Sequence, residues 1–183
     1  LTSEIGYSFG AENVGVQSEA GRNIGANVQY ARDRYTLGYG YNRYRYYAAA
    51  SPAVASSQIT QVVAATYKIG SNVVGANYLH STRSDATGWF SSAVMLNARI
   101  AVGQGDVELG AARRLQNGDA HAMAYDVGYV YFLSKRTQLY TYATTIRNNS
   151  RSTQGFALLN SASATVSPGF SPWAITAGLR TSF

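Results

Sequence analysis

The chain of 183 residues lacks cysteine altogether, and this absence excludes disulfide frameworks and thiolate metal sites. It has only two histidines, His80 and His121, and two imidazoles without placed carboxylates do not predict a metal centre. No apolar run approaches the roughly 20 residues of a membrane-spanning helix. Charged residues make up 13% of the chain, whereas about 25% is usual for soluble domains. This composition is therefore unusual for a soluble globular protein.

The abundant residues are tyrosine, at 15 positions, and glycine, at 18. Fifteen basic residues outnumber nine acidic ones, and the formal net charge of +6 suits nucleic acid, an anionic surface or an anion pathway. The length is that of one domain. No charged-then-apolar signal segment opens the sequence, and because the first residue is Leu1 we expect a processed or partial product.

Apolar and polar residues alternate with a period of two along most of the chain, which predicts strands rather than helices. Ten strands are predicted, near residues 2–10, 22–31, 34–46, 58–69, 71–81, 91–103, 105–116, 120–133, 136–147 and 172–183. Strands in globular proteins usually have about 5–6 residues, whereas a tilted strand that crosses a bilayer needs about 9–11. The predicted strands have the lengths of the second kind.

The connections between these strands alternate between long and short. The short ones lie near 31–34, 70–72, 103–105 and 133–137, and the long ones near 11–21, 47–58, 81–91 and 148–171. Only the connection at 116–120, of moderate length, weakens this contrast. Outer-membrane barrels have the same asymmetry, with short periplasmic turns and long external loops. The sequence therefore predicts an all-β fold, a transmembrane antiparallel up-and-down β-barrel, in preference to a soluble β domain.

Aromatic residues are grouped near the predicted strand ends, as the two membrane interfaces of a barrel require. With the tight turns in the periplasm, one interface belt contains Tyr30, Tyr35, Tyr67, Tyr131 and Phe183. The other belt contains Phe9, Tyr41, Tyr78 and Trp173. The strand preference of tyrosine explains the number of these residues but not their grouping.

The segment YVYFLSKRTQLYTYATTIRNN (129–149) resembles the next-to-last hairpin of the Gram-negative porin family, in the branch common among β-proteobacteria. The matching residues are Tyr131, Leu133, Ser134, Lys135, Arg136, Thr137, Leu139, Tyr140 and Tyr142. The ending AGLRTSF is similar to the closing strand of the family through Gly178, Arg180 and Phe183, and TYKIGSNVVGANY (66–78) looks like a recurring porin hairpin. The first 60 residues resemble the family only in the general character of their sequence, without specific matching motifs.

The resemblance implies a barrel of sixteen strands in the outer membrane of a Gram-negative bacterium, usually a homotrimer, which passes small hydrophilic solutes and ions and needs no cofactor. Ten strands correspond to the C-terminal portion of such a barrel, without the usual start and the inward constriction loop. We expect residues 1–183 to form a single transmembrane β-barrel domain within this larger barrel. The alternative is a complete ten-stranded barrel, either an enzyme or an adhesin-like protein, since even strand numbers from eight upward occur.

Charged residues in the middle of strands identify the face that lines the lumen, because barrel strands alternate between lipid and lumen. Arg99 at the membrane midplane would cost roughly 2–4 kcal/mol if it faced lipid. This argument assigns to the pore lining Lys68, Asn97, Arg99, Glu108, Arg114, Asp126 and Arg180. Four cations against two carboxylates leave an excess of positive charge, which favours anions. We predict a weakly anion-preferring channel, with the alternative that Arg114 pairs with Glu108 or another acid and braces the wall.

Two other groups of residues give weaker evidence of function. Asp119 and His121 share a strand face and resemble part of the dyad of barrel proteases and lipases, but no convergent nucleophile accompanies them, so an enzyme is not predicted. The Tyr- and Arg-rich segment YNRYRYY (41–47) has residue types that stack on and pair with nucleic acid. It fits better at the outer rim of a barrel, where Arg43 and Arg45 would meet lipopolysaccharide phosphates. No nucleic-acid partner is therefore expected.

The last strand, WAITAGLRTSF (173–183), alternates to its final residue. Trp173, Ile175, Ala177 and Leu179 share the predicted lipid face, and Arg180 points into the pore. By the resemblance, this terminal aromatic strand is the signal that the outer-membrane barrel assembly machinery reads. Its residues in this chain are Ile175, Ala177, Leu179 and Phe183.

Overall fold

The computed structural model of the chain describes residues 1–9, 21–47, 55–156 and 165–182. The strands are β1 (Thr2–Phe9), β2 (Arg22–Arg32), β3 (Tyr35–Tyr47), β4 (Ala55–Ile69), β5 (Asn72–Arg83), β6 (Phe90–Val102), β7 (Gly105–Gln116), β8 (Ala120–Phe132), β9 (Thr137–Asn148) and β10 (Trp173–Thr181). They form one sheet in which the strand order follows the chain. All ten predicted strands are confirmed, and the largest difference is that β4 begins at Ala55 instead of 58. Phe183 lies outside the described residues.

Helical structure is almost absent from the described part of the chain, where it is confined to one 3-10 turn, Asn117–Asp119, between β7 and β8. Within the same residues, no helix is long and apolar enough to cross a membrane. Gly118 and Asp119 take positive φ angles of 74° and 61°, so the chain reverses within this turn. This is the connection that the sequence predicts to be of moderate length.

The tight turns lie where the sequence predicts them. Gly70 and Gly103 each have φ of 61°, a conformation that glycine adopts without steric cost and that suits short hairpin turns. The turn between β8 and β9 is held by Ser134, whose Oγ accepts hydrogen bonds at 3.1 Å from the backbone N–H groups of Arg136 and Thr137. The short connections therefore have the local chemistry of specified turns.

The described residues form two compact units, and the first comprises Leu1–Ala65 and Asn77–Ser92. Across β1, β2 and β3, Glu4 lies opposite Asn27 and Asn27 opposite Gly40, so their side chains share one face. The neighbouring register position contains Ile5, Ala26 and Tyr41, which share the other face. We call these the polar face and the apolar face of the first unit.

The second unit comprises Thr66–Ala76 and Ala93–Phe183. Its register aligns four polar-face positions across β7, β8, β9 and β10, namely Glu108, Gly128, Tyr142 and Thr176. The adjacent apolar-face positions are Leu109, Val127, Ala143 and Ile175. The predicted alternation of polar and apolar faces thus holds across four consecutive strands.

The apolar side chains of this fold are exposed and do not form a core. Val127 is 50% exposed, Ile175 67% and Trp173 71%. Among the described residues, the buried apolar ones are only Ala122 and Val130. A soluble protein does not expose a continuous apolar face of this extent. The fold therefore needs an apolar environment along one face of its strands.

Candidate functional site

The predicted pore-lining residues of β7, β8 and β10 lie on the polar face of the second unit. The register of β7 with β8 places Glu108 and Asp126 on this face, since Gly128 lies opposite Glu108 and Gly110 lies opposite Asp126. Arg114 lies opposite Ala122, four residues before Asp126 on the same face. Arg180 lies opposite Gln138 and is exposed. The structure therefore brings these four charged side chains to a common surface.

The predicted residues of β6 extend this surface. The Asn97 side chain lies against Gly75, with Oδ1 2.5 Å from the position that a Cβ would occupy there. Arg99 Nε lies 3.7 Å from Asp106 Oδ2 on β7. Asp106 is two residues before Glu108 and shares its face, but the sequence argument did not include it. Its carboxylate, almost buried at 9% exposure, offsets part of the charge of Arg99.

Lys68 lies at the end of β4, next to the tight turn, and is exposed. It alternates with Tyr67 and Ile69, apolar side chains that are 45% and 53% exposed. By the pleat of the strand, Lys68 points to the side opposite these two residues. Its placement agrees with the polar face.

Three glycines on the polar face of the second unit each lie opposite a larger side chain on an adjacent strand. Gly110 faces Asp126, Gly128 faces Tyr142 and Gly178 faces Tyr140. In each pair the large side chain occupies the space where a Cβ on the glycine would lie. Tyr142 bends over Gly128 so that its OH donates a hydrogen bond of 2.6 Å to Glu108 Oε2. The glycines therefore let large polar side chains lie flat against the sheet.

The segment after β9 is held on this same face, at the end of the strands remote from the tight turns. Asn148 Oδ1 accepts hydrogen bonds from Ser152 Oγ at 2.6 Å and from the backbone N–H of Gln154 at 3.1 Å. Gln154 Oε1 in turn accepts from Arg114 Nη1 at 2.5 Å. Ser152 is only 2% exposed. The sequence predicts this segment only as a long loop, because nothing in its pattern indicates the amide contacts.

Asp119 and His121 form no catalytic arrangement. His121 Nδ1 is 3.9 Å from Asp119 Oδ1 and 3.0 Å from the Asn149 amide nitrogen, while Arg151 Nη1 is 4.0 Å from Asp119 Oδ2. These contacts tie the turn between β7 and β8 to the segment after β9. In the described ranges, no group of three or more His, Cys, Asp or Glu side chains is placed to hold a metal ion.

The first unit contains a compact cluster around Arg83, at the end of β5. Arg83 Nε donates hydrogen bonds to Tyr46 Oη at 2.7 Å and to Asp85 Oδ1 at 2.9 Å. The guanidinium carbon also lies 5.3 Å from the ring centroids of Tyr46 and Trp89. Hydrogen bonds from Arg83, and then from Tyr46, hold the pKa of the Asp85 carboxyl below its ordinary value. The cluster therefore fixes the connection between β5 and β6 to the strands.

This cluster should open on acidification. The lowered pKa of Asp85 means that its contribution to stability is fully present above the ordinary value of 3.8 and is lost as the pH falls below it. Among residues 1–183, a Trp173→Phe variant retains Trp89 as the only tryptophan, so the tryptophan emission of this part of the protein should change in that acidic range. If a Trp173→Phe/Asp85→Asn double variant showed the same transition, the assignment of this transition to Asp85 would be wrong.

The predicted interface-belt residues all lie on the apolar faces of their units, with the exception of Phe183, which the structure does not describe. By register and alternation this group comprises Phe9, Tyr30, Tyr35, Tyr41, Tyr67, Tyr78, Tyr131 and Trp173. At the tight turn after β2, the rings of Tyr30 and Tyr35 are 6.0 Å apart. Rings at strand ends on an apolar face, such as these two, suit the level where a bilayer meets water. Tyr41 and Tyr78 instead lie in the middle of β3 and β5.

The comparison with known proteins decides the family. A family model described as Gram-negative porin matches residues 1–151. The chain belongs to the Gram-negative porin family. Among solved structures it is similar to an anion-selective porin from Comamonas acidovorans, with a TM-score of 0.86 and 26% sequence identity. No curated protein sequence matches the chain.

The alignment with that porin covers 99% of this chain and 55% of the porin. The chain thus spans little more than half the length of this solved structure. This coverage agrees with the prediction that the chain is part of a larger barrel. Family membership places this porin chain in the outer membrane of a Gram-negative bacterium. The family match begins at residue 1, so the first 60 residues belong to it although their own resemblance is weak.

Proposed function

We propose that the complete protein is a sixteen-stranded porin that forms a water-filled channel for passive diffusion of small hydrophilic solutes and ions, with a weak preference for anions. Residues 1–183 form a single β-barrel domain of it, and Lys68, Asn97, Arg99, Glu108, Arg114, Asp126 and Arg180 line the lumen. The observation that supports this proposal is the separation of an exposed apolar face from a charged polar face on the same strands. The first suits lipid and the second suits water.

The charge of the polar face supports only a weak anion preference. The polar face of the second unit has four cations, Lys68, Arg99, Arg114 and Arg180, and three carboxylates, Asp106, Glu108 and Asp126. Asp106, which lies beside Arg99, reduces the positive excess that the sequence predicts. The anion-selective porin of Comamonas acidovorans, at 26% identity, favours the same sign of preference.

The selectivity should respond to single charges on this face. In a KCl gradient across a planar bilayer, the full-length protein should give a reversal potential of the anion-preferring sign. Arg180→Gln should weaken the preference and Asp106→Asn should strengthen it. One charge about 10 Å from an ion in water contributes roughly 0.4 kcal/mol, or about twofold in the permeability ratio.

A matched control is Arg136→Gln, which removes one charge from the exposed tight turn after β8. It should leave the reversal potential unchanged. A clear cation preference of the unmodified channel would overturn the anion proposal. Single-channel conductance in the same experiment also separates a sixteen-stranded pore from the alternative of a complete ten-stranded barrel.

The proposed partners follow from the same placement. The channel forms a homotrimer in contact with outer-membrane lipids and lipopolysaccharide. The outer-membrane barrel assembly machinery recognises the last strand through Ile175, Ala177, Leu179 and Phe183. The first three of these side chains share the apolar face of β10 with Trp173, as a signal exposed to a membrane-embedded receptor requires.

A further inference from the structure

The polar face of the first unit contains a recess of about 600 Å³ where β1, β2 and β3 run side by side. Gly6 lies opposite Gly25, and Gly25 lies opposite Asn42. By alternation from Glu4 and Asn27, these three positions belong to the polar face. Two adjacent strands thus present bare backbone at the centre of the recess. We call it the glycine-floored recess.

Among the described residues, no large side chain covers this floor. A Cβ on Gly6 would have no atom within 4 Å, and a Cβ on Gly25 would come no closer than 3.6 Å to its nearest neighbour, Asn42 Nδ2. In the second unit, by contrast, the ring of Tyr142 fills the space above Gly128. Glycine inside a strand often marks a place where a ligand approaches the backbone closely. The uncovered floor therefore leaves room for a solute.

Side-chain amides and a hydroxyl surround the floor. On one side of it, Asn42 Nδ2 donates a hydrogen bond of 2.7 Å to Asn23 Oδ1. On the other side, Asn27 Nδ2 lies 3.4 Å from Glu4 Oε2. Thr60 of β4 also lines the recess. A carboxamide provides two N–H donors and two acceptor lone pairs, so the contacts within this rim leave capacity for a ligand.

Charge narrows the class of ligand. Among the described residues that line the recess, Glu4 is the only one with a formal charge at neutral pH. A lone carboxylate disfavours an anion, and the described ranges contain no group of three acidic, histidine or cysteine side chains that could hold a metal ion. Hydroxyl groups both donate and accept, so they suit amides and a carboxylate together. A neutral solute with several hydroxyls is therefore the complementary ligand.

We propose that the glycine-floored recess binds a neutral polyhydroxylated solute of the size of a hexose. The inference rests on the proposed function and deepens it, because it assigns one class of solute to a wall of the channel. The solute donates hydroxyl hydrogen bonds to Glu4, exchanges others with Asn27 and Asn42, and lies against the backbone of Gly6 and Gly25.

The binding should be weak. Glu4 and Gly6 are exposed, so a bound solute keeps one side in water. For a ligand as small as a hexose, we expect half-saturation on the order of millimolar. Weak binding suits a diffusion channel, because a solute that enters must also leave.

The test is the current through single channels of the full-length protein in a planar bilayer with KCl, titrated with glucose. Glucose should lower the conductance along a saturable curve. Tetraethylene glycol is of similar size but has ether oxygens in place of most hydroxyls. It should lower the conductance only in proportion to the conductivity of the bulk solution.

Two variants locate the effect. Gly25→Val fills the floor and should abolish the saturable response, and the fold should tolerate it because its Cβ would be in ordinary contact with Asn42. Asn42→Leu removes one amide at similar size and should raise the half-saturating glucose concentration about two- to tenfold, the effect of one hydrogen bond. Gly38→Val is the matched control, because Gly38 lies opposite Gln29 on the same face but does not line the recess. It should leave the titration unchanged.

A glucose titration that matches the one with tetraethylene glycol would overturn the proposal. So would an unchanged half-saturation in Gly25→Val and Asn42→Leu, and if Gly25→Val does not fold, Asn42→Leu decides alone. A channel that conducts but gives no saturable response refutes this site and leaves the proposed function intact. If the protein does not conduct, the proposed function fails, and calorimetric titration of the same variants with glucose in detergent then decides the site.

Discussion

Replacing Ala143 with arginine should destabilise the folded protein by about 2–4 kcal/mol, whereas arginine at the next residue, Thr144, should be tolerated. Ala143 lies in the middle of β9 on the apolar face, between Val127 and Ile175. A guanidinium there would face lipid near the midplane. Thr144 lies on the polar face opposite Asp126, so an arginine at that position gains a carboxylate neighbour across the strands.

The two variants form a matched pair because they introduce the same side chain at adjacent positions of one strand. Urea unfolding in lipid vesicles measures the free energy, and the shift between folded and unfolded migration in gels reports how much protein assembles. Ala143→Arg should lower both, and Thr144→Arg should stay close to the unmodified protein. Equal stability of the two variants would contradict the assignment of the faces and, with it, the proposed pore lining.

The strands and faces were predictable from the sequence because both depend on local alternation. A mid-strand charge such as Arg99 or Glu108 cannot face lipid at acceptable cost, and the pleat then assigns its neighbours. The start of β4 was less predictable, because Ala55, Ser56 and Ser57 lack the alternation that marks the rest of the strand. Small polar residues are compatible with either a strand or a loop.

The contacts between charges were not predictable, because they depend on the register of neighbouring strands. Arg99 meets Asp106 through the alignment of β6 with β7, and no spacing in the sequence indicates which residues this alignment brings together. Tyr142 likewise reaches Glu108 across β8 only because Gly128 lies between them. Interpretation of the charged residues one strand at a time thus overestimated the positive charge of the polar face.

The pairing of glycines with large side chains suggests how the polar face keeps its shape. At Gly128 and Gly178 a tyrosine of β9 fills the space above the glycine backbone. Glycine in a strand interior is ordinarily destabilising, and an aromatic ring lying across it compensates by covering the exposed backbone. Because the rings lie along the sheet, they do not project into the space that a solute would use.

Replacing Gly128 with valine should therefore cost about 1–3 kcal/mol in unfolding free energy, as overpacking of a filled site usually does. A Cβ at this position would overlap the ring of Tyr142, whose displacement would also break its hydrogen bond to Glu108. The displaced ring would project away from the sheet, so single-channel conductance should fall together with stability. Urea unfolding and bilayer recordings on the same preparation measure the two effects.

Gly38→Val is the matched control, because a Cβ on Gly38 in β3, which is paired on both sides, would come no closer than 3.9 Å to the nearest atom, the carbonyl oxygen of Val28. It should change stability little. Combining Gly128→Val with Tyr142→Ala should recover part of the loss, since the smaller side chain at 142 makes room for the valine. A double-mutant cycle should then show a coupling of roughly 0.5–3 kcal/mol between the two positions. Additive effects would mean that the ring of Tyr142 does not occupy the space above Gly128 in the membrane, and the explanation of how the polar face keeps its shape would then be wrong.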